Sequence, residues 1–127
     1  SRLCASTPAQ HGFLAGLIGD QGWLSGHREL IRKRLDYSLG RIDSIDGIEC
    51  QPPGGAFYLF VRITDPSLSS DDKKFVLDLL HKKHVLLVHG SGFSPEMGKG
   101  HFRMVCLPEV ELLSEAFDRI EAFLKGE

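Results

Sequence analysis

The spacing of apolar positions along the 127-residue chain changes several times, and each change marks an element. Phe13, Leu14, Leu17 and Ile18 recur at helical spacing behind Thr7-Pro8, a polar cap followed by a proline at the first helical position. Gly19 closes this short helix. A longer helical pattern covers residues 24–45 through Ile31, Leu35, Leu39, Ile42 and Ile45, with Arg28, Glu29, Arg32, Lys33 and Arg34 as its polar face. Gly40 inside it costs about 1 kcal/mol relative to alanine and marks a weak point. Gly47 ends the pattern, and residues 48–51 form a short strand before the turn Pro52-Pro53-Gly54-Gly55.

Residues 56–63 then alternate Phe57/Leu59/Val61 with Ala56/Tyr58/Phe60, apolar on both sides, as in a strand covered twice. Asp65-Pro66 starts a loop, and Ser69 or Ser70 caps a helix whose buried stripe is Phe75, Val76, Leu79 and Leu80. Asp71 and Asp72 suit its positive end; Lys82, Lys83 and His84 suit its last turn. Residues 85–89 and 101–107 are strands joined by a glycine-rich loop, and Pro108 opens a final helix. That helix carries Glu109 and Glu111 in its first turn and Val110, Leu113, Phe117, Ile120 and Leu124 as its stripe. The order α-α-β-β-α-β-β-α predicts an α+β domain spanning residues 1–127, a small, mainly antiparallel sheet with helices on one face. The second face of strand 56–63 calls for a partner domain outside the chain.

Composition changes this picture little. An apolar fraction of 42% and a charged fraction of 25% are those of an ordinary globular domain. A net charge of -2, with no basic run interleaved with aromatics, argues against nucleic acid as a partner. No stretch approaches a membrane span, and Ser1-Arg2-Leu3-Cys4 opens without an apolar leader. With no initiating methionine, the chain reads as an excised piece of a larger protein. Cys4, Cys50 and Cys106 are widely spaced and read as reduced core thiols of a cytoplasmic protein.

Candidate chemistry concentrates in residues 85–105. Strand alternation puts Phe102, Met104 and Cys106 on one side and His101, Arg103 and Val105 on the other, so Arg103 leaves the core face. A guanidinium in so apolar a strand needs an anion, and its planar fork suits a carboxylate. Spacing leaves two sources open: a carboxylate elsewhere in this chain, or one from a ligand. Gly90, Gly92, Gly98 and Gly100 do not make a phosphate-cradling G-x-G-x-x-G, and the loop reads as a connection. His11, His27, His81, His84, His89 and His101 show no metal spacing, and Ser91 lies in no hydrolase elbow. Glu109, Glu111 and Glu115 read as a solvated face, and Tyr58 as a packed aromatic with a hydroxyl that could reach a ligand.

Pro53-Gly-Gly-Ala-Phe-Tyr-Leu-Phe60, residues 85–93 and His101-Phe-Arg-Met-Val105 together resemble the C-terminal small domain of class I/II aminotransferases, pyridoxal-phosphate enzymes of fold type I. Ser6-Thr-Pro-Ala-Gln10 resembles the segment following the cofactor lysine in that family, and the bacterial alanine aminotransferase group is the nearest likeness. The resemblance implies that Arg103 binds the substrate α-carboxylate. It implies an exchange of an amino group between a small amino acid, alanine, and 2-oxoglutarate. It further implies a homodimeric full-length enzyme in which a lysine holds pyridoxal 5'-phosphate as a Schiff base. No lysine here has that family context, and Lys73, Lys74, Lys82 and Lys83 read as helical surface residues. The catalytic lysine and the cofactor-binding groups are therefore expected in a large domain outside this chain, and the fragment alone is expected to be inactive. A related pyridoxal-phosphate lyase or synthase, or a free-standing interaction module, are the other readings.

Overall fold

The computed structural model describes residues 4–127, so the expectation made on Ser1-Arg2-Leu3 lies outside the described residues. The chain divides into two units, Ser1–Leu30 and Ile31–Glu127. In the first, helix α1 spans Thr7–Ile18. Its cap is Ser6, one residue before the expected Thr7, because Ser6 is the last extended residue and Thr7 is already helical. Pro8 sits in the first turn, where its missing N–H costs nothing. No residue of α1 is buried, and its apolar stripe is exposed. Helix α2, Trp23–Asp43, begins in this unit and continues into the next, running through Gly40.

The second unit is built on a four-stranded antiparallel sheet in the order β1-β2-β4-β3, with β1 at Ile48–Glu49, β2 at Tyr58–Ile63, β3 at Val88–His89 and β4 at His101–Val105. Its helices are the remainder of α2, the single turn α3 (Pro66–Ser69), α4 (Asp72–Lys83) and α5 (Val110–Leu124). The α+β expectation holds: Leu59, Val61 and Ile63 of β2 and Phe102 and Met104 of β4 are buried in one core with Ile42 and Ile45, Phe75 and Leu79, and Phe117 and Ile120. The Phe75 and Phe102 rings stack at 5.6 Å within it. The other face of β2 is not covered within the described residues, where Phe60 is 40% exposed.

Several local expectations change, each for a hydrogen-bonding reason. Strand 56–63 starts at Tyr58 because Ala56 is left-handed, with φ of 63°, which breaks the extended run. Asp65-Pro66 opens a helical turn, not a loop, since the Asp65 carboxylate accepts from the Ser67 amide at 2.8 Å and hydroxyl at 2.7 Å. Ser69 is used by that turn, so Asp71 caps α4 instead, accepting from the Lys74 amide at 2.9 Å. The α4 stripe is buried at Phe75, Val76 and Leu79 as expected, and left-handed His84 closes the helix. Strand 85–89 shrinks to two residues. The last helix starts at Val110, with Glu109 rather than Pro108 at its entrance.

The largest departure is Arg34. It is not on the polar face of α2 but 7% exposed, donating to the Leu107 carbonyl and to the Glu109 carboxylate. Glu109 is thus engaged, which explains why its side chain does not cap α5. The cysteines also split. Cys106 is buried, Cys50 is half-buried and Cys4 is exposed, so Cys4 is not a core thiol. Burial pushes the Cys50 and Cys106 thiols above their ordinary range.

Three outcomes follow. Replacing Arg34 by alanine strands the Leu107 carbonyl and removes two charge-assisted bonds, and urea unfolding is expected to show a loss of about 3 kcal/mol. Alkylation at neutral pH is expected to modify Cys4 first, with Cys106 reacting only on unfolding. Because a raised thiol pKa leaves the folded state holding its proton longer, the Cys106 contribution is intact below the unfolded value of 9.0. It falls as pH rises from there towards the folded value, which a urea series across that range measures.

Candidate carboxylate-binding site

The exposed face of the sheet is set by one ladder. Tyr58 pairs with Val105, Phe60 with Arg103 and Arg62 with His101, and Val88 of β3 flanks Arg103 from the other side. Since Phe102 and Met104 are 0% and 4% exposed, their neighbours on β4 face away from the core, as alternation requires. Arg103 lies at the centre of this face. Its guanidinium carbon is 4.5 Å from the centre of the Tyr58 ring and 4.4 Å from that of Phe93. Rings this close hold the flat side chain by cation–π attraction and leave its N–H edge for a ligand.

Among the described residues Arg103 enters no ion pair. Its Nε is buried without any hydrogen-bond partner. The Nε of Arg34 is orphaned too, but its outer nitrogens have acceptors, whereas Arg103 has none among the described residues, so its uncompensated charge favours an incoming anion. The alternative of a carboxylate from the same chain finds no support among the described residues. The nearby Arg62 differs: Glu49 holds it at 2.6 Å, and that bond raises the guanidinium pKa further.

A groove of about 690 Å³ runs along this face, lined by Pro52, Pro53, Tyr58, Phe60, His101 and Arg103 among others. The His101 ring stacks on Phe60 at 5.1 Å, and its Nδ1 lies 2.9 Å from the Lys99 carbonyl, which accepts from it. Phe93 meets Phe60 edge-on at 6.2 Å. Tyr58 is a packed aromatic, and what its ring packs on is the arginine.

Phe93 went unremarked in the sequence because it lies in what reads as a connecting loop. That loop is built. The Gly90 carbonyl accepts from the Phe93 amide at 2.9 Å, and the Gly98 amide donates to the Ser94 carbonyl at 2.9 Å. A side chain on Gly98 would overlap the Gly90 carbonyl, and one on Gly90 would overlap the Gly98 carbonyl. The glycine spacing was the available signal, a close approach of two backbones rather than a phosphate cradle. His89, the last residue of β3, and Ser91 share a 3.0 Å bond at the start of this loop.

An unpaired arginine on the open face of this sheet is the geometry of the site, and comparison with known proteins gives the family. The model of the aminotransferase class I and II family matches residues 1–120. The chain belongs to that family. It is 43% identical over 131 residues to the glutamate-pyruvate aminotransferase of Haemophilus influenzae, covering 97% of this chain and 31% of the relative. It is 37% identical over 129 residues to the alanine aminotransferase of Mycobacterium tuberculosis, covering 97% of this chain and 29% of that one. Among solved structures, the alanine aminotransferase of Pyrococcus furiosus superposes with a TM-score of 0.92 at 48% identity, covering 99% of this chain and 32% of that chain. The chain thus spans about a third of the length of the relatives it matches. The family implies pyridoxal phosphate. The groove beside Arg103 does not fit that cofactor, since no lysine lines it to condense with the aldehyde.

Replacing Gly98 by alanine is expected to cost about 1–3 kcal/mol in urea unfolding, because two backbones must separate. Gly40, in open space on an exposed part of α2, is the control. Its alanine variant is expected to gain about 0.5–1 kcal/mol.

Proposed function

We propose that residues 1–127 are the C-terminal small domain of a pyridoxal-phosphate-dependent aminotransferase, and that Arg103 grips the α-carboxylate of its amino-acid and 2-oxo-acid substrates. The observation that carries this reading is the state of Arg103: pressed on Tyr58 and Phe93, with a buried Nε and no acceptor. A carboxylate set bidentately on that guanidinium would give its charge the acceptor it lacks and fix the ligand in two dimensions.

The substrate pair we assign is alanine and 2-oxoglutarate, with pyruvate and glutamate as products. The relative from Haemophilus influenzae carries the reverse exchange in its name. Alanine and pyruvate differ from their partners by lacking a second carboxylate, whereas both members of each couple share the α-carboxylate. One arginine can therefore serve both half-reactions. Pyridoxal phosphate, when bound by the whole enzyme, supplies the electron sink for loss of the α-proton. What this chain contributes is positioning: with the carboxylate clamped, the substrate keeps one orientation while its α-carbon reacts.

The lysine and cofactor-binding groups belong, in this proposal, to a large domain outside the chain, which also covers the apolar side of Phe60 and Phe93. The whole enzyme is proposed to be a homodimer. Among the described residues no helix is long and apolar enough to cross a membrane.

The test uses the full-length enzyme. Replacing Arg103 by alanine removes a bidentate charged contact of about 3 kcal/mol, so KM for both alanine and 2-oxoglutarate is expected to rise about a hundredfold. Cofactor absorbance should not change. Lysine at 103 is expected to fall between the two, because a point charge cannot reproduce the fork. Wild-type saturation curves in the alanine variant would remove the role.

A further inference from the structure

Phe93 holds one side of the Arg103 guanidinium, yet its ring is 50% exposed. Among the described residues its one aromatic neighbour is Phe60, edge-on, and its other ring contact is the cationic head of the arginine. So exposed a ring is not locked by packing, and its position is inherited from the backbone that carries it. That backbone is tied at two points. The Gly90 carbonyl accepts from the amides of both Phe93, at 2.9 Å, and Ser94, at 3.3 Å, which closes a tight turn over Gly90–Gly92. The turn follows β3, where His89 pairs with Phe102, and Ser91 shares a 3.0 Å bond with His89; its one charge-assisted tie is the Ser91 amide donating to Oδ2 of Asp72 at 2.7 Å.

Asp72 is unusual for a carboxylate. It is 3% exposed in the first turn of α4, with Asp71 beside it performing the capping. An acid at that place gains from the helix dipole, which explains why its charge is tolerated there, but Asp71, exposed, would serve that end without burial. Burying a second carboxylate is costly, and what the burial achieves is a charge-assisted anchor for a loop 19 residues away in sequence.

We infer that Asp72 is a positioning residue for the carboxylate grip: it fixes Ser91, Ser91 fixes the turn that presents Phe93, and Phe93 fixes the plane of Arg103. The inference rests on the reading of Arg103 as the substrate-carboxylate group and extends it to a residue that touches neither substrate nor cofactor. A slack turn lets the guanidinium rotate out of plane, which weakens bidentate capture without altering the chemistry that follows.

The experiment uses the full-length enzyme with 15N-labelled arginine, in which the Nε–Hε resonance of Arg103 is assigned by its disappearance in Arg103→Lys. Ring currents from Tyr58 and Phe93 displace this resonance from those of ordinary arginines. In Asp72→Ala the displacement is expected to shrink, and KM for alanine to rise about tenfold with kcat within about twofold. Asp72→Asn, which keeps an acceptor oxygen for the Ser91 amide, is expected to restore both. Phe93→Leu is expected to raise KM similarly, and the double variant to be no worse than Phe93→Leu alone, since both changes break one chain of contacts.

A folded Asp72→Ala enzyme with an unmoved resonance overturns the inference, as does full additivity with Phe93→Leu. Should Asp72→Ala fail to fold, Asp72→Glu takes its place. It keeps the charge but moves the acceptor outward by one bond, and an unmoved resonance there overturns the inference equally. If Arg103→Ala leaves KM unchanged, the carboxylate reading has failed by itself, and the resonance alone then decides whether Asp72 places Phe93 on Arg103.

Discussion

The structure of the second unit depends on the antiparallel ladder between β2 and β4. Five paired positions, from Tyr58↔Val105 to Arg62↔His101, hold the two strands in register, and a period of two then assigns every side chain to a face. A slip of one residue would bury Arg103 and expose Phe102. The core prevents that slip. Leu59, Val61, Phe102 and Met104 bury their surface only in the observed register, so the same apolar contacts that stabilise the fold also deliver Tyr58, Phe60 and Arg103 to one side together.

Arg34 and Arg103 show how one residue type meets opposite demands. Arg34 turns inward from α2 and finds a backbone carbonyl and a carboxylate from its own chain, both contributed by the segment entering α5. It is structural, and it ties α2 to α5. Arg103 turns outward and finds two aromatic rings but no acceptor. Rings orient a guanidinium without neutralising it, which leaves its charge for an anion from elsewhere. This contrast is the physical basis of the carboxylate grip proposed for Arg103, and membership of the class I and II aminotransferases gives that anion a chemical context.

Much of this was legible in the residues. The stripe of α4, the stripe of α5 and the opposed faces of β4 follow from periodicity, and so did the outward turn of Arg103. The places where expectation and structure part are those where a hydrogen-bonding group chose a partner far along the chain. Arg34 looked like one more charge on a polar helix face; its partners at Leu107 and Glu109 lie 73 and 75 residues away. Asp72 looked like a helix-dipole charge beside Asp71, and its partner is the amide of Ser91. The loop of residues 90–100 looked like a connection because glycines signal freedom, whereas Gly90 and Gly98 are required by the contact of two backbones.

The sequence by itself therefore determined what depends on neighbours one, two, three or four positions apart: the helical stripes, the strand faces and the direction of Arg103. Those spacings are set by 3.6 residues per helical turn and two per strand repeat, and need no knowledge of the rest of the chain. Only the tertiary structure decided what meets at long range: the inward lock of Arg34, the Asp72 anchor, and the Tyr58 and Phe93 rings that hold the Arg103 guanidinium. A buried polar group is satisfied by whichever acceptor packing brings within about 3 Å, and packing is a property of the whole fold.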